Sequence, residues 1–201
     1  MVRPSRLPSW TYSRTARSRS RMNTWTTPSG SPRFRPHPQW VSFKSALTVD
    51  DTAHIIVAAE PINSASDVRE LPTMVAAVKD TLGAYPEQTL ADAGYRSEAV
   101  FAALAGCTDL IVAIGREGKG HRAINEATLP LTAAMVAKMK TQEARNAYRR
   151  RKWLAEPPNG WIKNVLGFRQ FSLRGLHRVS AEWKLVCLAL NLRQMASMRA
   201  A

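Results

Sequence analysis

The apolar pattern of the chain becomes regular only after about residue 40. Residues 43–50 and 53–61 are apolar, β-branched runs joined by a short polar link, which predicts an antiparallel pair of strands. Apolar residues then recur at helical spacing over residues 68–82, and Gly83 predicts where that helix ends. The chain therefore begins its folded part with two strands and a helix.

Strands and helices alternate through the rest of the chain. The apolar spacing predicts a strand at 89–91, a helix from 97 to 104, a strand at 109–118, a helix at 131–151, a turn of helix at 159–166 and a long amphipathic helix at 176–195. Pro157 and Pro158 are expected to interrupt the helical pattern immediately after residue 156, before the turn of helix at 159–166. Such an alternation indicates an α/β fold.

Residues 1–40 show no period of 2 or 3.6 and are broken by six prolines. They contain eight arginines and no acidic residue, and so hold more than half of the net charge of +14. We predict a disordered basic tail here and a second, short disordered tail at 196–201. An organelle transit peptide, a basic arm on DNA and a segment translated out of phase remain alternatives for residues 1–40.

Charge and cysteine usage narrow the class of protein. A strong excess of Lys and Arg favours a polyanionic partner such as nucleic acid. Cys107 and Cys187 lie far apart in apolar surroundings without a neighbouring metal-ligand pattern, which predicts buried thiols in a reducing cytosol rather than a zinc site. No apolar run approaches the roughly 20 residues that a membrane-spanning helix needs.

Two acidic residues stand in positions suited to metal and phosphate chemistry. Asp92 follows the short strand at 89–91, at the carboxyl end where open α/β sheets place their ligands. Glu156 lies between a basic cluster and Lys163; the cluster consists of Arg149, Arg150, Arg151 and Lys152. Taken singly, Asp92 could be a turn residue and Glu156 a partner in a surface ion pair. Together, their settings are typical of carboxylates that share divalent metals with a phosphate backbone.

Two stretches of the sequence resemble the DDE transposases of bacterial insertion sequences. LADAGYRSE (90–98) is similar to the second-aspartate motif of that family, and AEPPNGWIKNVLGFRQFSLRGLHRVSAEWKLVCLALNLR (155–193) is similar to its glutamate block. The strand pair and helix at 43–82 resemble the segment upstream of the second aspartate, so the likeness covers about residues 43–195. It implies a partial RNase H-like fold over residues 41–195, with a mixed sheet flanked by helices and a long C-terminal helix.

The resemblance also implies a chemistry. Three carboxylates of the family hold two Mg²⁺ ions that cleave a phosphodiester and transfer the strand. Asp92 matches the second aspartate and Glu156 the glutamate, so both are the expected catalytic and metal-binding residues. Lys163 is expected to contact a phosphate of the transposon end, whereas Trp161 is expected to pack. The full set of expected DNA-binding residues is Arg149, Arg150, Arg151, Lys152, Lys163, Arg169 and Arg174.

One part of the family pattern is missing from the sequence. No acidic residue precedes Asp50, and Asp50 and Asp51 fall in the link between two strands, where turn acids are expected instead of the first catalytic aspartate. We therefore predict a truncated or frameshifted transposase that lacks the first strand of its sheet and is catalytically incomplete, located in the bacterial cytoplasm at the nucleoid. The alternatives are a non-catalytic DNA-binding module and a dimerising remnant that binds itself or a full-length transposase through the helix at 176–195.

Overall fold

A computed structural model describes residues 10–20, 41–63, 68–115 and 124–200 of the chain. The strands are β1 (Trp10–Ser20), β2 (Val41–Asp50), β3 (Ile56–Ile62), β4 (Gln88–Ala91) and β5 (Asp109–Val112). The helices are α1 (Glu70–Leu82), α2 (Glu98–Leu104), α3 (Pro130–Lys140), α4 (Gln142–Gly160) and α5 (Leu176–Ala200), with a 3₁₀ turn at Ala93–Tyr95 and a π turn at Trp161–Val165. The fold class is therefore α/β, as the alternation of patterns predicts.

The five strands form one mixed sheet in the order β3-β2-β1-β4-β5. β1 is antiparallel to β2 and parallel to β4, and β4 is parallel to β5. This arrangement corrects the prediction that the first strand is missing, because residues 10–20 fill the centre of the sheet. Residues 1–9 and 21–40, the remainder of the predicted tail, lie outside the described residues.

The turn between β2 and β3 is held by an acidic side chain. Asp50 is buried, and its carboxylate accepts hydrogen bonds from the backbone N–H of Ala53 (2.8 Å) and of Ile55 (2.5 Å). Short polar side chains commonly satisfy turn backbone in this way. Asp50 is thus a structural turn acid, as the sequence indicates.

Alternating side chains of the sheet pack against helices on both faces. Ala46, Ala58, Ala91 and Val112 face a core built with α1, α2 and α3. On the opposite face, Leu47 and Val49 of β2 pack under α5, while Leu90 of β4 and Ile111 of β5 pack under α4. Strand residues alternate between faces, so the same short strands serve both cores.

The long predicted helix at 131–151 is two helices. The chain breaks at Thr141, whose extended backbone ends α3 and whose hydroxyl accepts a hydrogen bond from the N–H of Ala144 at 3.2 Å. A threonine at this position is a good N-cap for the second helix, α4.

The prediction that Pro157 and Pro158 interrupt the helix is wrong, because α4 continues through both to Gly160. Proline holds φ near −65°, which is a helical value, but inside a helix each proline removes one backbone N–H donor and its ring crowds the carbonyl four residues earlier. A π turn follows directly at Trp161–Val165. Glu156 therefore lies inside a helix instead of at its end.

The last helix, α5, is also longer than predicted. It continues to Ala200, so residues 196–200 are helical and not the expected disordered tail. Trp183 fixes α5 to the sheet: its side chain is fully buried and its Nε1 donates to the carbonyl oxygen of Ala46 in β2 at 3.0 Å. Asn191 adds two hydrogen bonds to the backbone of Ile56 in β3, each 2.8 Å long.

Two further observations concern the cysteines and the lengths of the apolar helices. Cys187 is buried and Cys107 half-buried, and both are free thiols. Among the described residues, no helix is long and apolar enough to cross a membrane.

Candidate functional site

Asp92 reaches the surface because β4 ends one residue before it. Leu90 and Ala91 are buried in the two cores of the sheet, and the chain then turns into the 3₁₀ turn Ala93–Tyr95. Asp92 is extended (φ −73°, ψ 159°) and caps this turn, with its Oδ1 accepting from the N–H of Ala93 at 2.6 Å. Its role as a turn residue is thus real, and it leaves the second carboxylate oxygen, Oδ2, for other partners.

A cavity of about 350 Å³ brings Asp92 together with one side of α4 and the π turn. Its other lining residues are Arg151, Ala155, Glu156, Asn159, Gly160 and Lys163. Their spacing of three or four residues is that of one helical face, which exists only because the two prolines do not end α4. The two predicted carboxylates and Lys163 therefore share one cavity.

The cavity is lined by two acids and two bases. Glu156 is exposed and forms no ion pair with any residue that the structure describes, so the surface ion pair considered for it is absent there. The guanidinium of Arg151 lies 5.2 Å from the ring centre of Tyr148, and its Nε is buried without a hydrogen-bond partner in the described structure. A buried N–H without a partner is costly, whereas the positive charge of the guanidinium favours an anion in the cavity that Arg151 lines.

The other predicted DNA-binding residues lie outside the cavity. Arg149, Arg150 and Lys152 are exposed on α4, where Arg150 forms an ion pair with Asp51 at 3.6 Å. Arg169 and Arg174 are exposed in the segment that precedes α5, and Arg169 donates to Asn164 at 3.3 Å. The structure thus groups Arg151 and Lys163 with the acids and leaves the remaining predicted bases outside the cavity.

Trp161 packs, as expected from its helical spacing. It is half-buried against the core under α5, and the guanidinium carbon of Arg193 lies 3.2 Å from its ring centre. The ring is therefore occupied by a neighbour within the chain.

Comparison with protein families gives a match over nearly all of this fold. The model of the family described as Transposase DDE domain matches residues 15–192. The chain belongs to this transposase family. The match begins inside β1, so part of the segment predicted as a tail falls within the matched range.

Two other comparisons add little to the family assignment. A solved structure described as the crystal structure of the Mos1 strand transfer complex is similar at 13% identity and a TM-score of 0.33, with 90% of this chain and 54% of that chain covered. This chain thus spans about half of that chain's length. No curated protein matches the sequence.

Among the described residues, the side chains that line the cavity do not complete a centre with two metal ions. DDE transposase domains generally use divalent metal ions, and the resemblance described above assigns them three carboxylates. Asp92 and Glu156 are the carboxylates that line the cavity, and no group of three metal-ligating side chains occurs among the described residues. β1 runs beside β4 but contains no Asp, Glu, His or Cys. The sequence of β1 therefore supplies no metal-ligating residue beside β4.

Sequence reasoning missed one residue of the cavity, Asn159. Asn159 lines the cavity three residues after Glu156, and its Nδ2 donates to the carbonyl oxygen of Ala155 at 2.7 Å. Its helical spacing from Glu156 could have revealed it, but Pro157 and Pro158 indicated a break in the helix between the two residues.

Proposed function

We propose that this chain is a DDE transposase domain that binds the DNA backbone at the transposon end but does not cleave it. The observation that carries the proposal is the composition of β1, which occupies the place beside β4 yet supplies no carboxylate. Two carboxylates remain at the cavity, together with two cations suited to a phosphate. The domain would therefore retain the binding part of the site and lack part of its catalytic set.

The strand order supports an RNase H-like assignment for the domain. β3, β2 and β1 are neighbours that pair antiparallel, and β1 also pairs parallel with β4, which pairs parallel with β5. In this sheet the end of β4 lies beside the first residues of β1, since Trp10 pairs with Thr89 and Thr11 with Leu90. Catalytic incompleteness then follows from the residues on β1 and not from a missing strand.

The position of the absent carboxylate follows from the strand register. Thr11 of β1 pairs with Leu90 of β4. Extending this register past the end of β4 by two residues puts Ser13 level with Asp92, and Ser13 also lies opposite Leu47 of β2. We infer that the third carboxylate of the family would belong at the level of Ser13 in the sheet.

The binding half of the proposal rests on Arg151 and Lys163. Phosphate oxygens accept charge-assisted hydrogen bonds from both types of side chain, and such contacts position a protein on DNA without reading its sequence. Both side chains line the cavity, and both carry a positive charge. Mg²⁺ is not needed for this contact.

A binding assay with matched variants tests this half. Lys163→Gln should weaken the binding of duplex DNA roughly 10- to 150-fold, because a hydrogen bond to a charged group contributes roughly 1.5–3 kcal/mol. Lys79→Gln removes the same charge from α1 on the opposite face of the sheet and should leave binding nearly unchanged. Asp92→Asn should not weaken binding, since it removes a negative charge from the cavity. Equal effects of the two lysine variants would contradict a phosphate site in the cavity.

A second candidate function is the dimerising remnant, which the surface of α5 favours. Leu185, Leu188, Leu192 and Met195 are each at least half exposed and follow a 3-4-3 spacing. This spacing forms the seam of paired helices. Another copy or a full-length transposase could bind this stripe and be regulated by it.

The α5 stripe has a direct test. Leu188→Glu should shift the sedimentation of the protein towards the monomer if the stripe is an interface. Leu82→Glu on α1 is the control, because Leu82 is similarly exposed at 46%. A protein that sediments as a monomer without any substitution would exclude self-association and leave only the full-length partner to be tested.

The genetic and cellular parts of the prediction remain proposals. Origin from an insertion sequence and an out-of-phase origin of residues 1–40 are tested by translating the DNA around the gene in all frames. Localisation at the bacterial nucleoid is tested by imaging a fluorescent fusion. An acidic motif in another frame upstream would support the frameshift.

A further inference from the structure

The loop formed by residues 167–175 joins the π turn to α5 and carries two of the predicted DNA-binding residues. Gly167 and Gly175 turn the chain at its two ends with positive φ values of 67° and 84°, a backbone conformation that favours glycine. Arg169 and Arg174 lie between these turns, and both side chains are exposed. The loop therefore presents two cations to solvent.

The side chain of Glu182 on α5 fixes the middle of this loop. Its carboxylate accepts hydrogen bonds from the backbone N–H of Ser172 at 2.9 Å and of Leu173 at 3.1 Å, and also from the Ser172 hydroxyl. The residue before them, Phe171, is buried and contacts the ring of Trp183. Surface loops are usually more mobile than the elements they connect, because few buried contacts hold them. This loop is instead held by an apolar anchor and by a carboxylate.

The loop is also connected to the element that lines the cavity. Arg169 donates to the side-chain oxygen of Asn164 at 3.3 Å, and Asn164 directly follows Lys163 in the π turn. The N–H of Phe168 donates to the carbonyl oxygen of Ile162, which directly precedes Lys163, at 2.9 Å. The loop is thus bonded to the chain on both sides of Lys163.

A carboxylate is an unexpected support for a cationic loop that is to bind DNA. Glu182 is only half-buried, so its negative charge opposes a nearby phosphate. Its benefit is order, because a loop that is already fixed loses less conformational entropy when it binds. We propose that Glu182 is a positioning residue, which holds the loop so that Arg169 and Arg174 contact DNA backbone next to the phosphate bound at the cavity. The inference rests on the proposed function, since it requires the cavity to bind DNA.

The binding of duplex DNA at neutral pH gives the two possible roles of Glu182 opposite signs. If Glu182 is an ordinary surface acid, its removal tightens binding. If it is a positioning residue, Glu182→Ala should weaken binding roughly 5- to 150-fold, given the cost of ordering two long side chains at an interface. Ser172→Ala leaves every charge in place and removes one hydrogen bond, so it should weaken binding by less than Glu182→Ala does. Glu143→Ala is the control, because it removes an exposed acid from α4 and should tighten binding.

A comparison in a second background shows whether Glu182 acts through the two arginines. In a protein that already carries Arg169→Gln and Arg174→Gln, Glu182→Ala should no longer weaken binding. A general loss of folding would weaken binding in this background as well, so the comparison separates positioning of the loop from stability of the domain.

Unchanged or tighter binding by Glu182→Ala would overturn the inference, and so would an equal loss with and without the two arginines. If Lys163→Gln still weakens binding in these cases, the proposed function stands alone. If Lys163→Gln has no effect, the proposed function fails and the inference fails with it.

Discussion

Trp183 offers the sharpest test of how the domain is held together. Its indole is fully buried between α5 and β2, it contacts the rings of Phe168 and Phe171 at centroid distances of 6.0 and 6.3 Å, and it donates to the carbonyl of Ala46. Trp183→Ala removes all of these contacts and leaves a cavity. Substitutions of this type cost about 3–5 kcal/mol, out of a total stability of roughly 5–15 kcal/mol.

Urea denaturation measures this loss. With an m-value of about 2–3 kcal/mol per M for a domain of this size, the midpoint should fall by roughly 1–2.5 M. Trp153→Ala is the matched control, because it removes the same side chain from a site that is 78% exposed and should change stability by no more than about 0.5 kcal/mol. Similar midpoints for the two variants would refute the packing of α5 described here.

Two further predictions concern titratable groups. Burial raises the pKa of Glu182, but hydrogen bonds from the Ser172 hydroxyl and from the N–H groups of Ser172 and Leu173 outweigh it and hold that pKa below its ordinary value. This stabilisation is present above the unfolded-state pKa of about 4.3 and is lost as the pH falls through the lower folded-state pKa, so Glu182→Gln should melt below the unsubstituted protein at pH 7 and converge with it in acid. Burial raises the pKa of the Cys187 thiol to about 12, so a thiol reagent at pH 8 should label Cys107 first and Cys187 only on unfolding; fast labelling of both in the native protein would contradict the buried position.

The local elements of the fold could be predicted from sequence, but the centre of the sheet could not. The β2–β3 pair, α1 and the placement of Asp92 follow from apolar spacing that neighbouring residues determine. β1 is rich in Ser and Arg and has no apolar alternation. Its conformation depends on pairing with β2 and β4, which are distant in sequence, and strand formation is governed by such contacts more than by intrinsic preference.

The sequence predicts which residues come together at the candidate cavity, but not the helix that brings them together. Asp92, Glu156 and Lys163 were expected to act together, and they do line one cavity. The expected break at Pro157 and Pro158 would have separated Glu156 from Lys163, yet the helix continues through both prolines. A proline inside a helix is expected to end it because backbone hydrogen bonds are lost. Here the buried residues of α4, including Pro158 itself, keep the helix packed on the sheet.

The central claim is that the domain cannot cleave DNA because β1 supplies no carboxylate. Its most direct test is a nicking assay on supercoiled DNA with Mg²⁺ or Mn²⁺, run at protein concentrations that saturate binding. The account predicts bound but intact DNA for the unsubstituted protein. It also predicts that Ser13→Asp, which adds a carboxylate level with Asp92, binds Mn²⁺ more tightly than the unsubstituted protein does. Robust nicking by the unsubstituted protein that Asp92→Ala abolishes would contradict the claim.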